Sequence, residues 1–119
     1  MKPIKTFGEY IVCIDQPAED DISARKHFIT ECGWSSAEFN KIKNFAWFRV
    51  EVSIWKNGEE MAIDHLGCCS YKTRKEFYTT YEGDYFADMV HNCALEIKDQ
   101  SLIDTVNLWR ESFRKAVKV

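Results

Sequence analysis

Residues 65 to 72 read HLGCCSYK, which places one of the three histidines, two adjacent cysteines and a serine within eight positions. These residue types can do two kinds of chemistry. His65-x-x-Cys68, together with His91 and Cys93, supplies the donors of a zinc centre at an acceptable ligand spacing. Alternatively, Cys68 or Cys69 could act as a thiol nucleophile, with His65 upstream as base and Lys72, Arg74 and Lys75 downstream to favour a thiolate.

Either chemistry depends on the elements that hold these side chains. In FAWFRVEVSIWK, residues 45 to 56, Phe48, Val50, Val52 and Ile54 alternate with Arg49, Glu51 and Ser53, the period of a half-buried strand. Asn57-Gly58 follows, a two-residue turn that tolerates positive φ at both positions and closes a hairpin. The return strand is EEMAIDHL, residues 59 to 66. Uninterrupted pairing sets Ile54 opposite Met61, Val52 opposite Ile63 and Val50 opposite His65, all facing the core.

That register argues against zinc. His65 faces the core while Cys68 faces the other way, and His91 and Cys93 are two apart on an expected helix, about 200° around its axis. No metal is therefore expected. Adjacent cysteines at a strand end pack one to each side, and His65 is expected to be a hydrogen-bonded core histidine. Gly67 decides the matter, because a bulge there would bring His65 and Cys68 onto one face.

The remaining elements can be read from their ends. EYIVCID, residues 9 to 15, is an apolar run bounded by Gly8 and Gln16-Pro17, and reads as a strand. Asp20 and Asp21 suit a helix start and Gly33 a helix end. Ser35 with Glu38 forms a capping box for a helix over about 36 to 43, with Trp34 stapled to Phe39. Thr73 with Glu76 opens a brief helix, Asp84 caps one running to about Lys98, and Ser101 with Asp104 opens the last. Phe86, Met89, Val90, Cys93 and Ile97 form one apolar face; Leu102, Val106, Trp109, Phe113, Ala116 and Val117 form another. The fold class is α+β: a small, mainly antiparallel sheet, made of an N-terminal strand and the hairpin at about 45–66. Helices pack on one of its faces, and two longer ones lie at the C-terminus.

Composition narrows the function. At 119 residues the chain reads as a single domain, 1–119, able to fold without a disulfide or metal. With 19 acidic and 16 basic residues the net charge is −3, so no general positive field draws nucleic acid. From Glu82 to Asp104 six acids face one base, Lys98. No run approaches a membrane span, no signal-peptide pattern precedes the first strand, and five cysteines without C-x-x-C fit a reducing compartment, so a cytoplasmic location is expected. G-x-S-x-G, phosphate-loop and dinucleotide motifs are absent, so no catalytic residue and no cofactor are expected.

Two surfaces remain. The outer face of the hairpin is expected to carry Trp47, Arg49, Glu51, Ser53 and Trp55 beside Glu60, Ala62 and Asp64. Glu51 falls opposite Asp64 as an unfavourable like-charge pair. The bland reading packs both tryptophans under loops or the N-terminal segment. The second surface is YKTRKEFYTTYEGDYF, residues 71 to 86, where Tyr78, Tyr81 and Tyr85 lie close to Glu82, Asp84 and Asp88. Tyrosine offers contact area with a polar tip, and acids pair with basic groups. Its bland reading is tyrosines closing the core edge.

In size, acidity and lack of motifs the chain is similar to accessory proteins of phages and mobile elements, including anti-CRISPR inhibitors, although no stretch carries a motif of that type. The expectation is a non-enzymatic protein-binding domain that occludes a basic partner surface, such as a host nucleic-acid-processing or defence complex. Two alternatives stand beside it: thiol- or metal-dependent activity centred on Cys68 and Cys69, and RNA binding by the sheet face.

Overall fold

The computed structural model describes residues 1–79 and 85–118, with side chains through 115. Four antiparallel strands form a meander in the order β1-β2-β3-β4: β1 Lys2–Phe7, β2 Tyr10–Asp15, β3 Ala46–Lys56 and β4 Glu59–Tyr71. A π-helical turn at Lys26–Glu31 and α1, Ser36–Asn40, lie between β2 and β3; α2 Glu76–Thr79, α3 Tyr85–Ile97 and α4 Gln100–Lys118 follow β4. The α+β architecture with two longer C-terminal helices is as the sequence predicts.

The strand at Lys2–Phe7 is an addition. It pairs with β2 around Gly8-Glu9, where Gly8 has φ +60, the sign that a type II′ hairpin needs at its first central position. Asn57-Gly58 turns as expected, with φ values of 53° and 77°.

On the helix-facing side Val12, Ile14, Phe48, Val50, Val52 and Ile54 meet Phe77, Phe86, Met89, Val90, Cys93, Leu102 and Val106 in one core. Phe48 is fully buried, and a side chain of that size contributes about 1.5–3 kcal/mol in removing its surface from water. The capping box of Ser35 and Glu38 forms, but Trp34 stacks on Phe28, with ring centroids 4.4 Å apart, instead of stapling to Phe39. Thr73 Oγ1 accepts the Glu76 N–H.

Two expectations about the helices are corrected. The helix expected from Asp20 to Gly33 starts only at residue 24, where Ser23 Oγ accepts the Lys26 N–H, and widens into the π-helical turn, because residues 17–19 continue beside β3: Ala18 bridges Phe48, and Arg49 N donates to Pro17 O at 2.9 Å. The cap of α4 is Asp99 rather than Ser101, since Asp99 Oδ1 accepts from Ser101 N and Leu102 N. Asp104 instead accepts from the Gln100 side chain. The cap expected at Asp84 lies outside the described residues.

The hairpin register also differs. Beyond Lys56–Glu59 and Trp55–Glu60 a bulge at Met61 shifts the ladder, so Ile54 faces Ala62, Val52 faces Asp64, Val50 faces Leu66, and Glu51 faces His65. One extra residue turns the next stretch of β4 over. Ala62 and Asp64 join the helix side, while Ile63 and His65 move to the outer face. A second shift follows at Gly67-Cys68, where Cys68 has φ +56, and Cys69 then pairs with Phe48 in the core. Among the described residues no helix is long and apolar enough to cross a membrane.

Candidate functional site

The outer face of the sheet is divided in two. Over its Trp47 end lies the segment leading into the π-helical turn. Trp47 Nε1 donates to Ile22 O at 2.9 Å, and its ring lies 5.5 Å from His27 and 5.7 Å from Phe28. Trp47 is therefore packed under a loop, as the bland reading had it. Arg49 Nε is 3.5 Å from Glu19 Oε2, and its Nη2 is 3.9 Å from Asp20 Oδ1.

Glu19 is the buried member of this group, its side chain only 5% exposed. Its Oε1 accepts the Cys68 N–H at 3.3 Å and lies 3.6 Å from Cys68 Sγ. The bulge at Gly67 is thus real, yet it gathers no zinc ligands. His65 stands on the same face but is spent on Glu51, with Nδ1 3.6 Å from Oε1. Cys93 is buried and donates to Val52 O. Among the described residues the only group of His, Cys, Asp or Glu with ligand atoms all within 4.8 Å of one another is Glu19, Asp20 and Asp21, and Arg49 already supplies the positive charge there.

The thiols beside the bulge are held protonated. Burial pushes the Cys68 thiol up, and the Glu19 carboxylate adds to the effect by accepting its hydrogen and repelling a thiolate. Burial carries Cys69 to about 12. Cys68, Cys69, Phe28, Leu66, Tyr71 and Tyr85 help line a pocket of about 280 Å³, but the charged group beside the Cys68 sulfur is the Glu19 carboxylate, not a cation.

On the other half of the outer face Ile11, Asp15 and His65 are exposed, Trp55, Ile63 and Glu51 are half-buried, and Ser53 and Cys13 at the centre are buried. β2 presents Ile11, Cys13 and Asp15; β3 presents Trp55, Ser53 and Glu51 directly opposite them; β4 adds Ile63 and His65. Trp55 Nε1 donates to Ser53 Oγ at 2.8 Å, which fixes the indole on the surface beside Ile11, itself 39% exposed. Met1 and Met61 are also exposed, and Met1 Sδ lies 3.8 Å from the buried Ser53 hydroxyl. At the acidic end Asp15 and Glu51 are cross-strand partners. A like-charge pair does exist on this face, but Glu51 meets Asp15, while Asp64, turned to the helix side, accepts from Asn92. The sequence could not show this pairing, because it depends on which strand lies beside β3.

The tyrosine segment is only partly accounted for. Tyr78 accepts a hydrogen bond from Lys2 Nζ at 3.1 Å and packs its edge on Phe86, Tyr71 is buried against Phe48 and Phe77, and Tyr85 is exposed. Asp88 pairs within the chain, 3.7 Å from both Arg110 Nε and Arg114 Nη2. Tyr81, Glu82 and Asp84 lie outside the described residues. Compared with protein-family models, curated proteins and solved structures, the chain finds no match.

Proposed function

We propose that this chain is a non-enzymatic protein-binding domain that docks through the half of its outer sheet face that carries Ile11, Trp55 and Ile63. The observation that carries the reading is the strip of Ile11, Trp55 and Ile63 ending at the cross-strand partners Asp15 and Glu51. A fixed indole among aliphatic side chains is the kind of anchor that dominates protein interfaces. Two acidic residues opposed across neighbouring strands disfavour the unbound face, with only His65 beside Glu51 to offset them, and a lysine or arginine of the partner relieves the repulsion. The partner is accordingly a protein with an apolar ridge flanked by a basic group. The same acids repel a phosphate backbone, which favours protein over RNA as the occupant.

Binding of this kind acts by occlusion. A partner site that holds phosphate through lysine or arginine, as in nucleic-acid-processing or defence complexes, is the surface such a face would cover, with Tyr85 and its neighbours as a second contact. The test is affinity capture with the wild-type chain, Trp55→Ala, Glu51→Lys and, as a control on α4, Leu108→Ala. A partner retained by wild type and Leu108→Ala but lost with Trp55→Ala and Glu51→Lys supports the reading. A partner held equally by all four overturns it.

A further inference from the structure

The π-helical turn does something that an α-helix cannot. In an α-helix residues five apart lie about 140° apart around the axis. In a π turn the hydrogen bond runs from i+5 to i and stacks the two residues. Here Cys32 N donates to His27 O at 3.0 Å, and the same turn brings Cys32 Sγ to 3.7 Å from His27 Nε2. One residue earlier, Glu31 Oε2 lies 4.0 Å from His27 Nδ1. The three groups form a row of thiol, imidazole and carboxylate. They do not converge on a point as metal ligands would, since Glu19, Asp20 and Asp21 form the only such cluster among the described residues.

The ring in the middle is held. Its centroid lies 4.9 Å from that of Phe28 and 5.5 Å from that of Trp47, whose own nitrogen is tied to Ile22 O. Nδ1 faces the Glu31 carboxylate at 4.0 Å, which favours the tautomer with its hydrogen on Nδ1, and in that tautomer Nε2 accepts a proton. The thiol at the end of the row is exposed. Nucleophile, base and orienting carboxylate in this order are the parts of a thiol acyl-transfer site.

We infer that Cys32 is a nucleophile assisted by His27 and Glu31, and that it accepts an acyl group from an activated ester or thioester. The sulfur attacks the carbonyl carbon and a C–S bond forms. The thiol proton passes to His27 Nε2, the bond to the leaving oxygen or sulfur breaks, and the leaving group departs as an anion that takes up a proton. The product is an S-acyl Cys32. This site is separate from the docking face, so the two stand or fall independently. The groups that face the row from other elements are Trp47 on β3 and, on β4, Cys68 with its hydrogen-bonded Glu19.

The probe is p-nitrophenyl acetate on the intact chain. The expected result is release of about one equivalent of p-nitrophenolate, with the acetyl group found on Cys32 by peptide mass. General-base assistance is worth about 10²–10⁴ in rate, so His27→Gln should slow acetylation at least tenfold and abolish the inflection in its pH profile. Glu31→Gln, which leaves the aromatic packing of the ring intact, should slow it less. Acetyl groups spread over several cysteines, or an unchanged rate and pH profile in both variants, would overturn the inference.

Discussion

Glu19 Oε1 lies 3.3 Å from the point where a Cβ on Gly67 would stand. The carboxylate reaches that position because it crosses the sheet to receive the Cys68 N–H while its other oxygen stays beside Arg49. Gly67 is thus favoured by a neighbour's approach, not by its own backbone angle. Within HLGCCSYK the bulge serves a buried carboxylate, since Glu19 accepts the Cys68 N–H.

Gly67→Ala should therefore destabilise the protein by about 1 kcal/mol, the common size of a strained substitution. Glu19 cannot retreat without loosening its hold on Cys68 or Arg49. Thermal unfolding measures the effect as a drop of several degrees, and a melting temperature at or above wild type would show that the contact is slack. Gly67→Ala combined with Glu19→Ala should cost less than the sum of the two, because the clash goes with the carboxylate.

Tyr10 donates its hydroxyl hydrogen to Asp99 Oδ2 at 2.7 Å, joining β2 to the start of α4. That bond, with the Leu102 N–H, holds Asp99 below the usual carboxylate range, and Tyr10 is raised chiefly by the same bond. A carboxylate whose folded pKa is depressed contributes stability above its unfolded value, near 4, and loses it as pH falls through the folded pKa. A tyrosine raised by a partner contributes below its unfolded value, near 10, and loses that contribution as pH rises through the folded one. Tyr10→Phe and Asp99→Asn should accordingly lower the melting temperature at pH 7, with the difference from wild type narrowing as the pH falls below the ordinary carboxylate value near 4. An undiminished difference in acid would mean that packing, not the ionised pair, is responsible.

Asp15 and Glu51 stand opposite each other on the outer face, and Asp15 is exposed. Directly opposed like charges are unfavourable on the scale of about 0.2–1 kcal/mol for cross-strand pairs, with the lower end fitting exposed positions. Asp15→Asn should raise the melting temperature slightly at low salt, an effect that fades as salt screens the pair. If partner binding depends on these acids, the same substitution weakens binding while it stabilises the free chain. No gain at low salt would remove the electrostatic basis of the docking face.

Alkylation without denaturant should sort the five cysteines. Cys32 is exposed and reacts first; Cys68, half-buried and pushed up beside Glu19, reacts slowly. Burial raises Cys13 and carries Cys69 and Cys93 to about 12, so all three should label only on unfolding. Rapid labelling of Cys69 in the native chain would restore the alternative of thiol chemistry at the Cys68-Cys69 pair.

Local chemistry was legible in the residues themselves. Alternation from Phe48 to Ile54, the Asn57-Gly58 turn, the Ser35-Glu38 box and the spacing of three and four along residues 86–113 each act over a few positions, so sequence alone determined β2, the β3-β4 hairpin, the C-terminal helices and the α+β class, but not β1. What crosses between elements was not legible. The bulges at Met61 and Gly67 turn β4 over twice, and no local preference of HLGCCSYK announces that its backbone must open for Glu19, 49 positions earlier.

The row of His27, Glu31 and Cys32 escaped for a related reason. Read at helical spacing, residues 27 and 32 point apart, and only a segment pressed onto Trp47 takes the wider π turn that joins them. Side-chain period and turn chemistry are properties of neighbours along the chain, and the sequence states them. Register, face and which charge meets which are settled by packing between distant segments, and only the tertiary structure decided them.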